Sequence, residues 1–123
     1  MADLVITAGE HELEADWLAE NHRTRDALLE SLPVSGEAAR WGDELYFDVP
    51  VDVDPAATRA EVPVGTIAYW PQGNALCLFW GPTPASIDGM PRAASPVAPL
   101  ARIDDVSPLD ATEGGAWVRV EIA

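Results

Sequence analysis

The residues able to do chemistry are few, and most fall in two stretches. Glu44 lies between Trp41 and Tyr46, with Arg40 just before them. A carboxyl among aromatics can be partly desolvated, which raises its pKa and suits it to act as a base or to hold a ligand. On an extended chain Glu44 and Tyr46 share one face, and Leu45 and Phe47 take the other. If Leu45 and Phe47 point into the core, Glu44 lies outside and is merely hydrated, which is the expectation for one acid among twenty-one. In the second stretch, Tyr69 and Trp70 end one apolar run, while Phe79 and Trp80 end the next. Ser86 and Ser95 follow in a Pro-rich segment. Arg40, Glu44, Tyr46, Tyr69, Trp70, Phe79, Ser86 and Ser95 are therefore the candidates for an aromatic-lined cleft that takes a small ligand or a peptide segment. Against this stands the plainer reading that so many aromatics fill a core.

Other chemistries are poorly supplied. Cys77 sits between Leu76 and Leu78, where a small buried hydrophobe is expected rather than a nucleophile, since a reactive thiolate needs an exposed, electropositive setting. His11 and His22 are the only imidazoles, and neither has a partner at zinc-ligand spacing. Asp48, Asp52, Asp54 and Glu61 could collect a hard cation, but Pro50 and Pro55 interrupt them and no calcium-loop order is present. They read better as a hydrated strand edge. No phosphate-binding glycine loop or nucleophile elbow occurs. No metal or cofactor is expected, and no catalytic residue is identified.

The charge narrows the field further. Twenty-one acids face seven bases in 123 residues, a net charge of −14, and every base is Arg. Such self-repulsion is costly at low salt. It becomes tolerable where the Debye length shrinks to roughly 3 Å, near molar ionic strength. A chain without Lys also exposes fewer long apolar stems. These features predict a salt-adapted, acidic, cytoplasmic protein. Phosphate binding needs a basic patch, so nucleic acid is not expected as a partner. No apolar stretch approaches the ~20 residues that cross a bilayer, and no signal peptide is visible. A single cysteine allows no internal disulfide.

The elements that must position these residues are mostly short strands. Thr66–Trp70 and Ala75–Trp80 flank the turn set Pro71-Gln72-Gly73-Asn74. In the second run Leu76, Leu78 and Trp80 take one face, and Cys77 and Phe79 the other. A strand with no polar face must be covered on both sides, which puts it at the centre of the fold. Leu4–Thr7 and His11–Trp17 predict a hairpin turning at Gly9-Glu10, with a helix over Glu12–Glu20 as competitor. Asn21 reads as the N-cap of a helix carrying Leu28, Leu29 and Leu32, stopped by Pro33. Val34–Arg40 reads as a turn or a second brief helix. A strand from Trp41 runs to Pro50, and 55–62 is a loop. Gly81–Ser95 looks too broken for regular structure. Val97–Asp104 and Ala116–Ile122 are strands, and Trp117 faces opposite to Val118 and Val120. Seven or eight short strands with one clear helix favour a barrel or a sandwich over 1–123 as a single domain.

Several stretches together resemble the small bacterial and archaeal cyclophilin-like proteins. They are Trp41-Gly-Asp-Glu-Leu-Tyr-Phe and the whole of Val64–Ser86, supported by Pro91–Pro99 and by the early hairpin followed by a helix ending at Leu32-Pro33. The resemblance implies a mainly β chain, a closed cyclophilin-like β-barrel of about eight strands with one or two capping helices. It implies no settled biochemical function. Cyclophilins proper are peptidyl-prolyl isomerases with a Phe-His-Arg motif, and this sequence has none. The region that corresponds, Val34–Trp41, offers only Arg40. The leading expectation is thus a binding module for a small molecule or proline-containing peptide. A divergent prolyl isomerase is second, and a non-catalytic interaction or homo-oligomerisation domain is third.

Overall fold

A computed structural model of the chain describes residues 2–123. It is mainly β, with strands β1 (Leu4–Ala8), β2 (His11–Trp17), helix α1 (His22–Ser31), β3 (Val34–Glu37), β4 (Ala39–Arg40) and β5 (Glu44–Asp48). Then come β6 (Arg59–Glu61), β7 (Thr66–Trp70), β8 (Ala75–Phe79), β9 (Arg92–Ile103), a 3-10 helix (Ser107–Ala111) and β10 (Trp117–Ile122). All pairs are antiparallel, in the order β3-β10-β1-β2-β9-β7-β8-β5-β4, and β6 adds to β9. No helix among the described residues is long and apolar enough to cross a membrane.

The mainly β expectation holds, but the ladder hydrogen bonds do not themselves close the sheet into a ring. The two end strands, β3 and β4, follow one another in the chain with only Ala38 between them. Antiparallel neighbours need at least a two-residue turn, so these two cannot pair with each other. Ala38 instead bonds to the far side, its N–H donating to the Ala116 carbonyl at 2.9 Å and its carbonyl accepting from Gly115 N–H at 2.7 Å. Across the seam, Gly36 of β3 packs against the ring of Phe47 in β5. A Cβ on Gly36 would lie 3.2 Å from that ring, so the bare backbone is what lets the strands approach.

β8 is the strand that the apolar pattern required. All five residues are buried, and it lies between β7 and β5. Leu76 and Leu78 face the main core with Leu45, Phe47, Ile67, Tyr69 and Leu100. Cys77 and Phe79 face the opposite way into a second, smaller cluster with Val62, Ala68, Ala93 and Val97. What covers that outer face is the first half of β9. Its later residues pair with β7, but the register skips at Leu100, and the earlier residues pair with β6 instead. A bulge of this kind bends its strand. The bend carries 92–97 across the sheet.

Several local expectations need correction. Val34–Arg40 is neither turn nor helix but the two short strands β3 and β4, because its small residues pair with β10 and β5. Regular structure begins at Arg92, within the segment read as broken. The 55–62 loop contains β6. Asn21 starts α1 in the left-handed conformation (φ 53°) without capping it by a side-chain hydrogen bond. Its amide donates to Ala57 O at 2.9 Å and Pro99 O at 3.2 Å and accepts from Ala57 N–H at 2.9 Å, so it ties the loop to the sheet. Leu28 is buried, but Leu29, one position along the helix, is 38% exposed. Trp117 is exposed while Val118 and Val120 are buried, in keeping with strand alternation.

Candidate functional site

Three adjacent strands build the site on the sheet face opposite the main core. The register sets Tyr46 of β5 and Ala68 of β7 directly beside Cys77 of β8, Glu44 beside Phe79, and Trp70 beside Ala75. Glu44 is thereby one diagonal step from Cys77, a separation side chains can bridge. The bent start of β9 lies over this face, and there its side chains are small. Ala93 and Ala94, with Val97, leave a cavity of about 220 Å³ bounded on its other sides by Trp41, Glu44, Tyr46, Trp70 and Cys77.

The aromatic walls are fixed in place. Tyr46 and Trp70 meet edge to face, with ring centroids 6.1 Å apart and planes at 80°, an arrangement the ring quadrupoles favour. Trp70 Nε1–H donates to Ser95 Oγ at 2.6 Å. Gly73, in the turn that follows β7, packs against the same indole, and a Cβ there would come within 2.5 Å of the ring. The turn glycine therefore also serves as a seat for Trp70.

Glu44 is 5% exposed. Burial pushes its carboxyl from the ordinary 4.5 up to about 7, and a hydrogen bond with the Cys77 thiol offsets part of that rise. The same burial, then the neighbouring charge of Glu44, holds the Cys77 thiol well above its usual range. A carboxyl that titrates near neutrality at the base of an aromatic cavity can accept a proton, or can pair with a positive group that enters. The expectation that Glu44 would be hydrated is corrected here. Leu45 and Phe47 do face the main core, but the start of β9 covers most of the outer face and buries Glu44. Cys77 is buried as expected, though against Glu44 rather than in purely apolar surroundings.

The other candidates divide. Ser95 acts on the site through Trp70. Phe79 is fully buried in the second cluster. Tyr69 faces the main core, where its hydroxyl donates to Val51 O at 2.7 Å and accepts from Asn74 Nδ2 at 2.9 Å. Ser86 organises its own loop, accepting from Thr83 N–H at 2.9 Å and donating to the Met90 carbonyl.

Arg40 does not line the cavity. Its Nε donates to Gly42 O at 2.9 Å, its Nη1 to Asp110 O and Thr112 O at 3.0 Å each, and its Nη2 to Asp43 Oδ1 at 3.0 Å. The guanidinium also lies over the Trp80 ring, 5.1 Å from its centroid. Every nitrogen is engaged in pinning the 3-10 helix to the β4–β5 turn. Trp41, Cys77, Ala93, Ala94 and Val97 are lining residues that the sequence candidates omitted. The shared parity of Cys77 and Phe79, opposite to that of Leu76 and Leu78, was the one signal for this face, and it could not say what lay over it.

A second hollow of about 240 Å³ lies at the β1–β2 turn between Gly9, Glu10 and His11 on one side and Ala111–Glu113 on the other. It has neither a buried acid nor aromatic walls beyond His11. Among the described residues no three His, Cys, Asp or Glu side chains gather as a metal-ligand set.

The chain is similar over nearly its whole length to a protein of known structure. The solution structure of a hypothetical protein from Archaeoglobus fulgidus superposes with a TM-score of 0.80 at 36% identity, covering 99% of this chain and 95% of that one. No curated protein matches the chain. The model of the cyclophilin-like family matches residues 2–121, and the chain belongs to that family.

Proposed function

We propose that this protein binds a small organic ligand in the cavity between β5, β7, β8 and the start of β9. One observation carries the reading: a buried carboxyl and three aromatic side chains line the same hollow. Burying the Glu44 carboxyl with no opposite charge beside it is costly, and a face packed only for stability would exclude both the acid and the hollow. At about 220 Å³ the cavity is smaller than the roughly 300–1,000 Å³ of drug-sized sites. The fitting occupant is a compact metabolite or a single side chain of a peptide. Binding is favoured over prolyl isomerisation because Arg40, the one donor proposed for a twisted amide, is bound to three carbonyls and Asp43 elsewhere. The lysine-free acidity supports a salt-rich cytoplasm as the setting.

A screen of compact organic molecules, read at the indole N–H resonances, tests this. Ligands should shift Trp41 and Trp70 saturably and leave Trp17 and Trp117 unmoved. Ala93→Leu, which fills the cavity, should abolish the shifts. No saturable shift at either indole, or shifts indifferent to Ala93→Leu, refutes the reading.

A further inference from the structure

Resting on that reading, we propose that the ligand is an organic cation, a small alkylated ammonium group held between the rings of Trp41, Tyr46 and Trp70 with Glu44 as its counter-ion.

Glu44 has no cation paired with it among the described residues. Among the described residues the ion pairs engage Arg25, Arg40, Arg59 and Arg119 with other acids, and none reaches Glu44. Among the described residues no Arg or His lines the cavity, and the Glu44 carboxyl has the Cys77 thiol beside it but no cation. An anion entering would meet a carboxylate. A neutral apolar ligand would strip water from that carboxylate and give nothing back. A cation removes the deficit.

The aromatic walls favour a cation as well. Tyr46 and Trp70 stand nearly perpendicular, so together they present two sides of a box, and Trp41 adds a third. The donor of Trp70 is already spent on Ser95. What that indole offers a ligand is therefore its π surface. Aromatic faces attract cations by their quadrupoles, most strongly where water is excluded, and alkylated ammonium groups suit such boxes because they need no hydrogen-bond acceptors. The net charge of −14 adds long-range attraction for any cation, though without selecting one.

The test compares choline with its neutral carbon isostere, in which the quaternary nitrogen is replaced by carbon. Both are titrated in molar potassium chloride, which screens the acidic surface, and read at the Trp41 and Trp70 indoles. Choline should bind at least tenfold more tightly than the isostere. That preference should fall below about threefold in Glu44→Gln, in line with loss of one desolvated charge pair. Trp70→Leu serves as the second variant should Glu44→Gln not fold, and should weaken choline at least tenfold. Equal binding of both probes overturns the cation inference and leaves the cavity as a ligand site. So does a choline preference that survives Glu44→Gln, since the charge recognised then lies elsewhere. Compact neutral ligands that bind where choline does not likewise overturn it. If neither choline nor any compact neutral molecule shifts the indoles, the inference and the proposed function fall together.

Discussion

Replacing Glu44 by Gln should change how stability depends on pH, and the sign is fixed by the direction of the shift. In the unfolded chain the carboxyl loses its proton near 4.5, and in the folded chain near 7. Between those values the native state holds a proton that the unfolded state lacks, so stability falls as pH rises through the window. Below 4.5 the carboxyl is protonated in both states, and above 7 the loss is complete. At about 1.4 kcal/mol per pH unit the gap amounts to about 3 kcal/mol. Water entering the cavity would stabilise the ionised form, so this is a ceiling. The Cys77 thiol, held high by burial and by Glu44, stays protonated throughout and adds nothing. Gln cannot ionise. The variant's stability minus that of the parent should therefore climb by about 2–3 kcal/mol from about pH 4 to about pH 8. Urea unfolding of the two proteins across that range, in molar salt to mute the other twenty acids, measures it. A difference that stays flat within about 0.5 kcal/mol would show that Glu44 is solvated in the folded protein, and the account of the cavity would fail with it.

Three further outcomes follow from particular contacts. Gly73→Ala should push the Trp70 indole off its seat, moving its N–H resonance and weakening any ligand at the cavity, while an unchanged resonance would show that the turn yields instead. Arg40→Ala breaks two hydrogen bonds to the end of the 3-10 helix and two within the β4–β5 turn, and should cost about 2 kcal/mol in urea unfolding. It should leave ligand shifts at Trp70 within twofold, and abolition of binding would place Arg40 at the site after all. The melting temperature should rise steadily from low salt to molar potassium chloride, because screening relieves the repulsion of a −14 surface. A flat response would leave salt adaptation without support.

The parts of the fold that could be read from sequence were those with one-residue logic. Ala75–Phe79 has no polar side chain at either parity, so its burial on both faces followed directly. Trp117 against Val118 and Val120 was equally plain. The readings that failed depended on partners distant in the chain. Val34–Arg40 has no strong local preference and is extended because β10 and β5 lie alongside it. Asn21 has the chemistry of an N-cap, but Ala57 and Pro99 compete for its amide and win. Glu44 was judged by its own strand, where alternation gave the correct face and the wrong environment.

That last case marks the division between the two levels. Residue types and alternation alone determined that Glu44 and Tyr46 share a face, that Leu45 and Phe47 take the other, and that Cys77 is enclosed. Side-chain parity is a local property of an extended backbone, and it needs no knowledge of neighbours. The tertiary structure decided that the outer face is covered at all. It did so through a bulge at Leu100 that bends β9 over β7 and β8 and sets two alanines opposite a carboxyl and three aromatics. Desolvation depends on what the rest of the chain places within a few ångströms, so whether Glu44 is a hydrated surface acid or a buried carboxyl was decided only there.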